Sequence, residues 1–404
     1  MPENTKTTQR LGKVEFIALM AMMFATIAFA IDAMLPVLPA IAADISPDAP
    51  QKASLILTFF LIGMGTGTFF MGPLSDAFGR KPVLYIGLAI YALGALLSWM
   101  APTLEMMLAA RVLQGLGSAG PRVVSAAIIR DLYSGRAMAS ILSLTMMVFL
   151  LVPGIAPLVG SLIADAFGWR MIFAAFLMFS LVLFIWFGTR MRESLPVDER
   201  RPLKWSLMVD AFRQMLGHPT VRLSIIVQTI MMMILFCVLT MVQPIFEHAF
   251  DKADSFPIWF GAIAVISGLS SLLNASIVGR FGMRRLVIWA LSVQVLVSGA
   301  FVLFILSDLP GVFTFYIISQ FGVMFQSGLT IANLNAIAME PMGHIAGMAA
   351  SVIGSISTVF GAGIASLIGM IADPSPFVLA GTVLISCIAA GGLMHLMRYE
   401  EEMA

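Results

Sequence analysis

Asp32 is the only acid that lies deep inside a long apolar run of this 404-residue chain. An ionisable group at mid-depth in hydrocarbon costs roughly 2.5–3.5 kcal/mol, so it requires a partner or a task. A carboxyl there can take up and release one proton. Two arginines, Arg111 and Arg122, occupy another apolar run. Counting inward from the ends of the two runs places Asp32 and Arg111 in the same half of the thickness, so an ion pair between them is geometrically allowed. Arg122 follows Arg111 by about three helical turns, which puts both on one face roughly 16 Å apart. With Asp32 ionised, the deep charges leave one positive charge in excess. Arg122 is therefore a candidate contact for an acceptor group on a bound molecule, with helix packing as the plainer role. Other chemistries lack their residues. Cys237 and Cys387 both sit in apolar runs, and His218, His248, His344 and His395 are scattered without metal-ligand spacing, so neither a metal nor a disulfide framework is expected. No GxxxxGK[ST] phosphate loop and no GxSxG nucleophile elbow occurs. A GxGxxG at Gly115–Gly120 lies inside an apolar run with no βαβ unit around it, and close helix packing explains it better than a dinucleotide.

The elements that must hold these residues follow from composition. The chain is 60% hydrophobic and 11% charged, with a mean hydropathy of +0.98, whereas soluble chains average roughly 45–50% apolar and about 25% charged. A formal net charge of +1 excludes a nucleic-acid binder working through bulk positive charge. A span needs roughly 20 apolar residues. Twelve runs qualify: 14–42, 53–73, 82–100, 103–129, 137–164, 171–189, 223–246, 256–278, 286–306, 311–339, 347–372 and 377–397. Their lengths fit helices and are about twice those of barrel strands. The first run is too long for a signal peptide and contains Asp32. Of the 23 lysines and arginines, Lys52, Arg170 and Lys252 fall in segments on one side, Arg111 and Arg122 lie within a span, and all others fall on the side of the termini. The positive-inside rule then makes both termini cytoplasmic. The longest polar segment, Arg190–Arg222, follows the sixth run, and Phe78-Gly79-Arg80-Lys81 has a weaker echo at Phe281-Gly282-Met283-Arg284. These features predict an all-α integral membrane protein of 12 transmembrane helices in two pseudo-symmetric six-helix bundles, residues 1–192 and 218–404, joined by a cytoplasmic linker at 193–217.

Five motifs make the reading more specific. The loop after span two, Gly72-Pro73-Leu74-Ser75-Asp76-Ala77-Phe78-Gly79-Arg80-Lys81, resembles the G-x-L-x-D-R-x-G-R-K pattern of the major facilitator superfamily, with Ala77 where a basic residue is usual. Span four contains Arg111-Val112-Leu113-Gln114-Gly115, similar to the superfamily's R-x-x-Q-G. Pro153-Gly154-Ile155-Ala156-Pro157-Leu158-Val159-Gly160 in span five is similar to the glycine–proline motif of its antiporters. The stretch Asp32-Ala33-Met34-Leu35-Pro36-Val37-Leu38-Pro39 resembles one found in the Bcr/CflA drug-resistance subfamily, as does Met339–Gly347 before span eleven.

The resemblance covers essentially the whole chain. It implies a bacterial inner-membrane, multi-pass exporter of small amphipathic compounds, multidrug in range, exchanging substrate for protons by alternating access. By the same implication Asp32 carries the proton and Arg111 is its charge partner. Gly72, Asp76, Gly79, Arg80 and Lys81 form a conformational latch in which Asp76 pairs with Arg80 and caps span eleven near Gly347. Pro153, Gly154, Pro157 and Gly160 bend span five. Asp32, Arg122, Met232, Phe236, Gln326 and Asn333 are candidate substrate contacts, the C-terminal half offering amides and no deep ionisable group. The partners expected are protons, a small amphipathic molecule and the bilayer, with no cofactor, no metal and a monomeric state. A metabolite importer is the first rival; a membrane enzyme or receptor is the second and lacks any acid–base constellation.

Overall fold

The computed structural model describes residues 11–200, 202–203, 205–307 and 309–403. Fourteen α-helices are present among them: α1 (Lys13–Asp32), α2 (Leu38–Ile45), α3 (Leu55–Phe78), α4 (Arg80–Met100), α5 (Leu104–Leu132), α6 (Gly135–Phe167), α7 (Met171–Arg190), α8 (Trp205–Gly217), α9 (Pro219–Pro244), α10 (Phe256–Phe281), α11 (Met283–Leu306), α12 (Val312–Met339), α13 (Ala346–Ile371) and α14 (Pro376–Met403). Twelve segments are long and apolar enough to cross a membrane, the first of them Lys13–Ile45. All twelve coincide with the expected runs to within several residues. No strand occurs among the described residues. The end bearing both termini is called inner below, and the opposite end outer.

The first span departs from expectation, because it is broken. α1 stops at Asp32, and a 3-10 turn at Leu35–Val37 leads into α2. Pro36 and Pro39 explain the break. Neither has an N–H to donate back to residue i−4, so the carbonyls of Asp32 and Leu35 lose their helical partners. Gly79 and Gly282 end α3 and α10 in matching left-handed conformations, with φ of 102° and 81°. The phenylalanine–glycine echo in the sequence is thus the same turn made twice, at the inner end of each half.

Within the first half, α5 packs along both α3 and α4, and α1 packs along α6. Between halves, α3 runs against α13, α6 against α10, and the Leu35–Val37 turn against α9. One apolar core joins the halves on the outer side: Leu35, Val37 and Leu38 belong to the same buried cluster as Phe236, Val242 and Phe246. Toward the inner ends the core divides. One cluster uses first-half residues such as Phe16, Leu84 and Phe187. Another centres on Val221, Ile225 and Val352. The structure is therefore sealed on its outer side. Within the segment expected as a linker, α8 buries Ala211 and Met215 against the second half and leaves Val209 and Phe212 exposed.

Candidate functional site

Asp32 sits at the last turn of α1, just where the proline-rich stretch ends the helix. Its relative exposure is 5%, and among the described residues it forms no ion pair or side-chain hydrogen bond. Helix breakage, burial and a lone carboxyl coincide at one point.

Arg111 is the largest fully buried side chain among the described residues. The expected Asp32–Arg111 ion pair is not formed. Its Nη2 donates to the Ala30 carbonyl at 3.0 Å, its Nε to the Ile56 carbonyl at 3.4 Å, and its Nη1 to Gln114 Oε1 at 2.6 Å. The guanidinium also lies 4.3 Å from the Phe60 ring centroid and 5.9 Å from that of Phe173. Backbone carbonyls of α1 and α3, an amide and two ring faces together replace the carboxylate as partners of the charge. The Ala30 carbonyl belongs to the residue two before Asp32, so the guanidinium is anchored to the last turns of the helix that carries the acid. Sequence reasoning took the nearest opposite charge as the partner and missed Gln114, although Gln114 is part of the R-x-x-Q-G motif and lies one turn along the same helix face. Among the described residues, Gln114 Nε2 and the buried Tyr91 hydroxyl have no hydrogen-bond partner within 3.5 Å.

The glycine–proline motif of α6 touches both the acid helix and the other half. A Cβ on Gly160 would lie 2.0 Å from the Ala33 carbonyl oxygen, the residue after Asp32. Gly154 faces Val265 and Gly261 of α10. α6 thus contacts the break beside Asp32 with one glycine and the second half with the other. Both Pro153 and Pro157 lie inside the helix.

The loop between α3 and α4 is tied to the first half and to the start of the segment expected as a linker. Arg80 pairs with Asp76, as expected, and its Nε also donates to Asp131 Oδ2 at 2.9 Å. The backbone amides of Arg80 and Lys81 donate to the two Glu193 carboxylate oxygens at 2.9 and 3.0 Å, and Lys81 Nζ donates to the carbonyls of Gly188 and Met191 at 3.1 and 2.7 Å. Asp76 does not cap α13. The approach to the second half at this end is steric: Gly72 abuts Ser351 of α13, where a Cβ would lie 3.0 Å from Ser351 Oγ. Asp131 and Glu193 are functional neighbours the sequence reading missed; each is an acid beside an arginine at an inner helix end, a pattern that also describes ordinary solvated residues. Glu193 acts as an N-terminal cap for α4, and a carboxylate capping two amides contributes about 1 kcal/mol. Glu193→Gln is expected to lower the thermal midpoint by a few degrees, and Glu193→Ala by more. A midpoint unchanged in both variants by scanning fluorimetry would show that the cap is not a stabilising contact.

The candidate substrate contacts separate into distinct environments. Phe236 belongs to the buried core that seals the outer side. Met232 packs against Gly361 of α13. Asn333 is committed within the second half, donating to Asn274 Oδ1 at 2.7 Å and the Leu329 carbonyl at 2.7 Å. Gln326 Nε2 contacts Met231 Sδ at 3.8 Å, while its Oε1 is buried without a partner. Arg122 is exposed although it lies mid-helix.

Twelve spans in two abutting halves, with a buried acid at a break in the first span, are the arrangement of a membrane transporter. The chain matches the Major Facilitator Superfamily over residues 18–370 and belongs to it. It is similar to the bicyclomycin resistance protein homolog of Haemophilus influenzae, 30% identical over 374 residues that cover 89% of this chain and 91% of that one. It is similar also to the multidrug resistance protein MdtL of Shewanella oneidensis, 28% identical over 343 residues, 80% of this chain and 81% of that one. The crystal structure of a D-xylose-proton symporter has the same fold, with a TM-score of 0.74 at 14% identity over 93% of this chain and 97% of that one. With twelve spans and bacterial relatives, the protein is a multi-pass inner-membrane transporter.

Proposed function

We propose that this protein exports small amphipathic compounds in exchange for protons, by alternating access, as a monomer with both termini in the cytoplasm. The observation that carries the reading is Asp32: a buried, unpaired carboxyl at the break in the first span, packed one residue from the α6 motif that reaches the second half. Loss or gain of its charge changes what the break can tolerate. When Asp32 is ionised, its charge stands two residues from the Ala30 carbonyl that anchors Arg111. When it is protonated, Arg111 keeps its carbonyl and Gln114 partners and the break carries no charge. Protonation would release substrate outside, and deprotonation inside would restore affinity for the next molecule. The similarity to resistance proteins supports drugs as the substrate class. Gln326, with its free buried carbonyl, is the strongest second-half candidate for a polar contact; Met232, Phe236 and Asn333 would shape the wall behind it.

Flux in proteoliposomes with an imposed pH gradient tests the direction. Substrate movement against the proton gradient supports export by antiport, and co-movement with protons would favour the importer. Stoichiometry follows from having one deep acid. One proton crossing 100 mV and one pH unit releases about 3.7 kcal/mol. That supports a gradient of a few hundredfold for a neutral substrate. A monocation carried outward cancels the electrical part and leaves about tenfold. Steady-state accumulation ratios in vesicles should therefore fall from neutral to monocationic compounds, and strong uphill transport of a dication would contradict one-proton exchange.

A further inference from the structure

Arg122 lies on a polar stripe of α5 composed of Arg111, Gln114, Ser118, Arg122 and Ser125, whose spacings of three and four residues keep all five on one face. Four of them are fully buried, at 0% exposure. Arg122 is exposed, so the stripe opens onto accessible space at its position, ten residues before the inner end of the helix at Leu132. The residues beside it occupy the two packing faces: Val123 approaches Gly72 of α3, and Pro121 approaches Gly87 of α4. Arg122 itself faces the interior side marked by Arg111, not either of these helices.

No ion pair or hydrogen bond is made by Arg122 among the described residues. The acids at the inner end of this half are already engaged: Asp76 and Asp131 with Arg80, Glu15 with Arg190, and Glu193 with the amides that open α4. An unneutralised guanidinium about 15 Å inside a transmembrane helix is costly unless it meets water or an anion. We propose that Arg122 is the specificity-determining contact for an ionised acidic group, a carboxylate or its equivalent, on the compounds this transporter takes up from the cytoplasm. The planar guanidinium binds such a group through two parallel N–H···O bonds. The membrane potential that draws protons inward also favours outward movement of negative charge, so an acidic group suits the proposed exchange. This inference rests on the export reading for its physiological meaning, and on binding alone for its test.

Equilibrium binding to the purified full-length protein is measured for a panel of aromatic amphipathic carboxylates, each beside its methyl ester, with no proton gradient present. Some carboxylates are expected to bind the unmodified protein at least tenfold tighter than their esters. Arg122→Gln should remove that preference and leave ester binding within twofold. Arg122→Lys, which keeps the charge but loses the fork, should weaken the carboxylates alone by about threefold. Should Arg122→Gln not fold, the Arg122→Lys comparison decides. The proposal is overturned if no carboxylate is preferred to its ester, if the preference survives Arg122→Gln, or if a variant weakens both members of a pair equally. Failure of the export reading appears separately, as co-movement of substrate with protons in the vesicle flux assay while the carboxylate preference stands.

Discussion

Asp32→Asn is expected to abolish uphill export while leaving a folded protein that still binds substrate. The amide matches the protonated carboxyl in size and in lacking charge, so the site is fixed in one of its two states and proton release no longer drives the break beside Pro36. Because the carboxyl makes no side-chain hydrogen bond that the amide would lose, the thermal midpoint should stay within a few degrees of the unmodified protein. Facilitated movement down a substrate gradient should be retained in kind, while concentration against a gradient should fall to background, a loss of at least a hundredfold in the accumulation ratio. Vesicle flux at an imposed pH gradient measures this directly. An Asp32→Asn variant that still concentrates substrate would remove Asp32 from the coupling step.

Gly160→Ala should be nearly as damaging, by a different route. The new Cβ would meet the Ala33 carbonyl at 2.0 Å, and backbone cannot turn aside as a side chain can. α6 must then move away from α1 at the residue after Asp32, at a cost of about 3 kcal/mol or more from overpacking. A midpoint lowered by several degrees, with transport largely lost, is the expected result. Gly154→Ala supplies the contrast, because its nearest neighbour is Val265 Cγ2 at 2.6 Å, an exposed side chain and not backbone. That variant should keep most of its stability. Equal effects at the two glycines, compared by scanning fluorimetry and flux, would show that close approach to the acid helix is not what the motif provides.

Much of the architecture is legible in the residues alone, because crossing a membrane is a local demand: each span must carry its own run of about 20 apolar residues and satisfy its own backbone. Hence the twelve spans, their boundaries to within several residues, the lone deep acid at Asp32 and the two arginines within a span all follow from composition along the chain. So does the repeated phenylalanine–glycine turn, since a left-handed residue calls for glycine wherever it occurs. Partnerships are another matter, because they depend on side-chain direction and on backbone atoms that no residue type announces. The spacing allowed Arg111 to reach Asp32, yet tertiary packing brought the Ala30 and Ile56 carbonyls and Gln114 to the guanidinium instead. Asp76 could have capped α13 by sequence, but Arg80 takes it, and Glu193, in a segment that reads as linker, binds the loop from the other side. Only the assembled helices decide that Arg122, alone on its stripe, opens onto accessible space: a charge in the sequence has no neighbours until the chain folds, and among the described residues the fold gives it no ion pair or hydrogen bond.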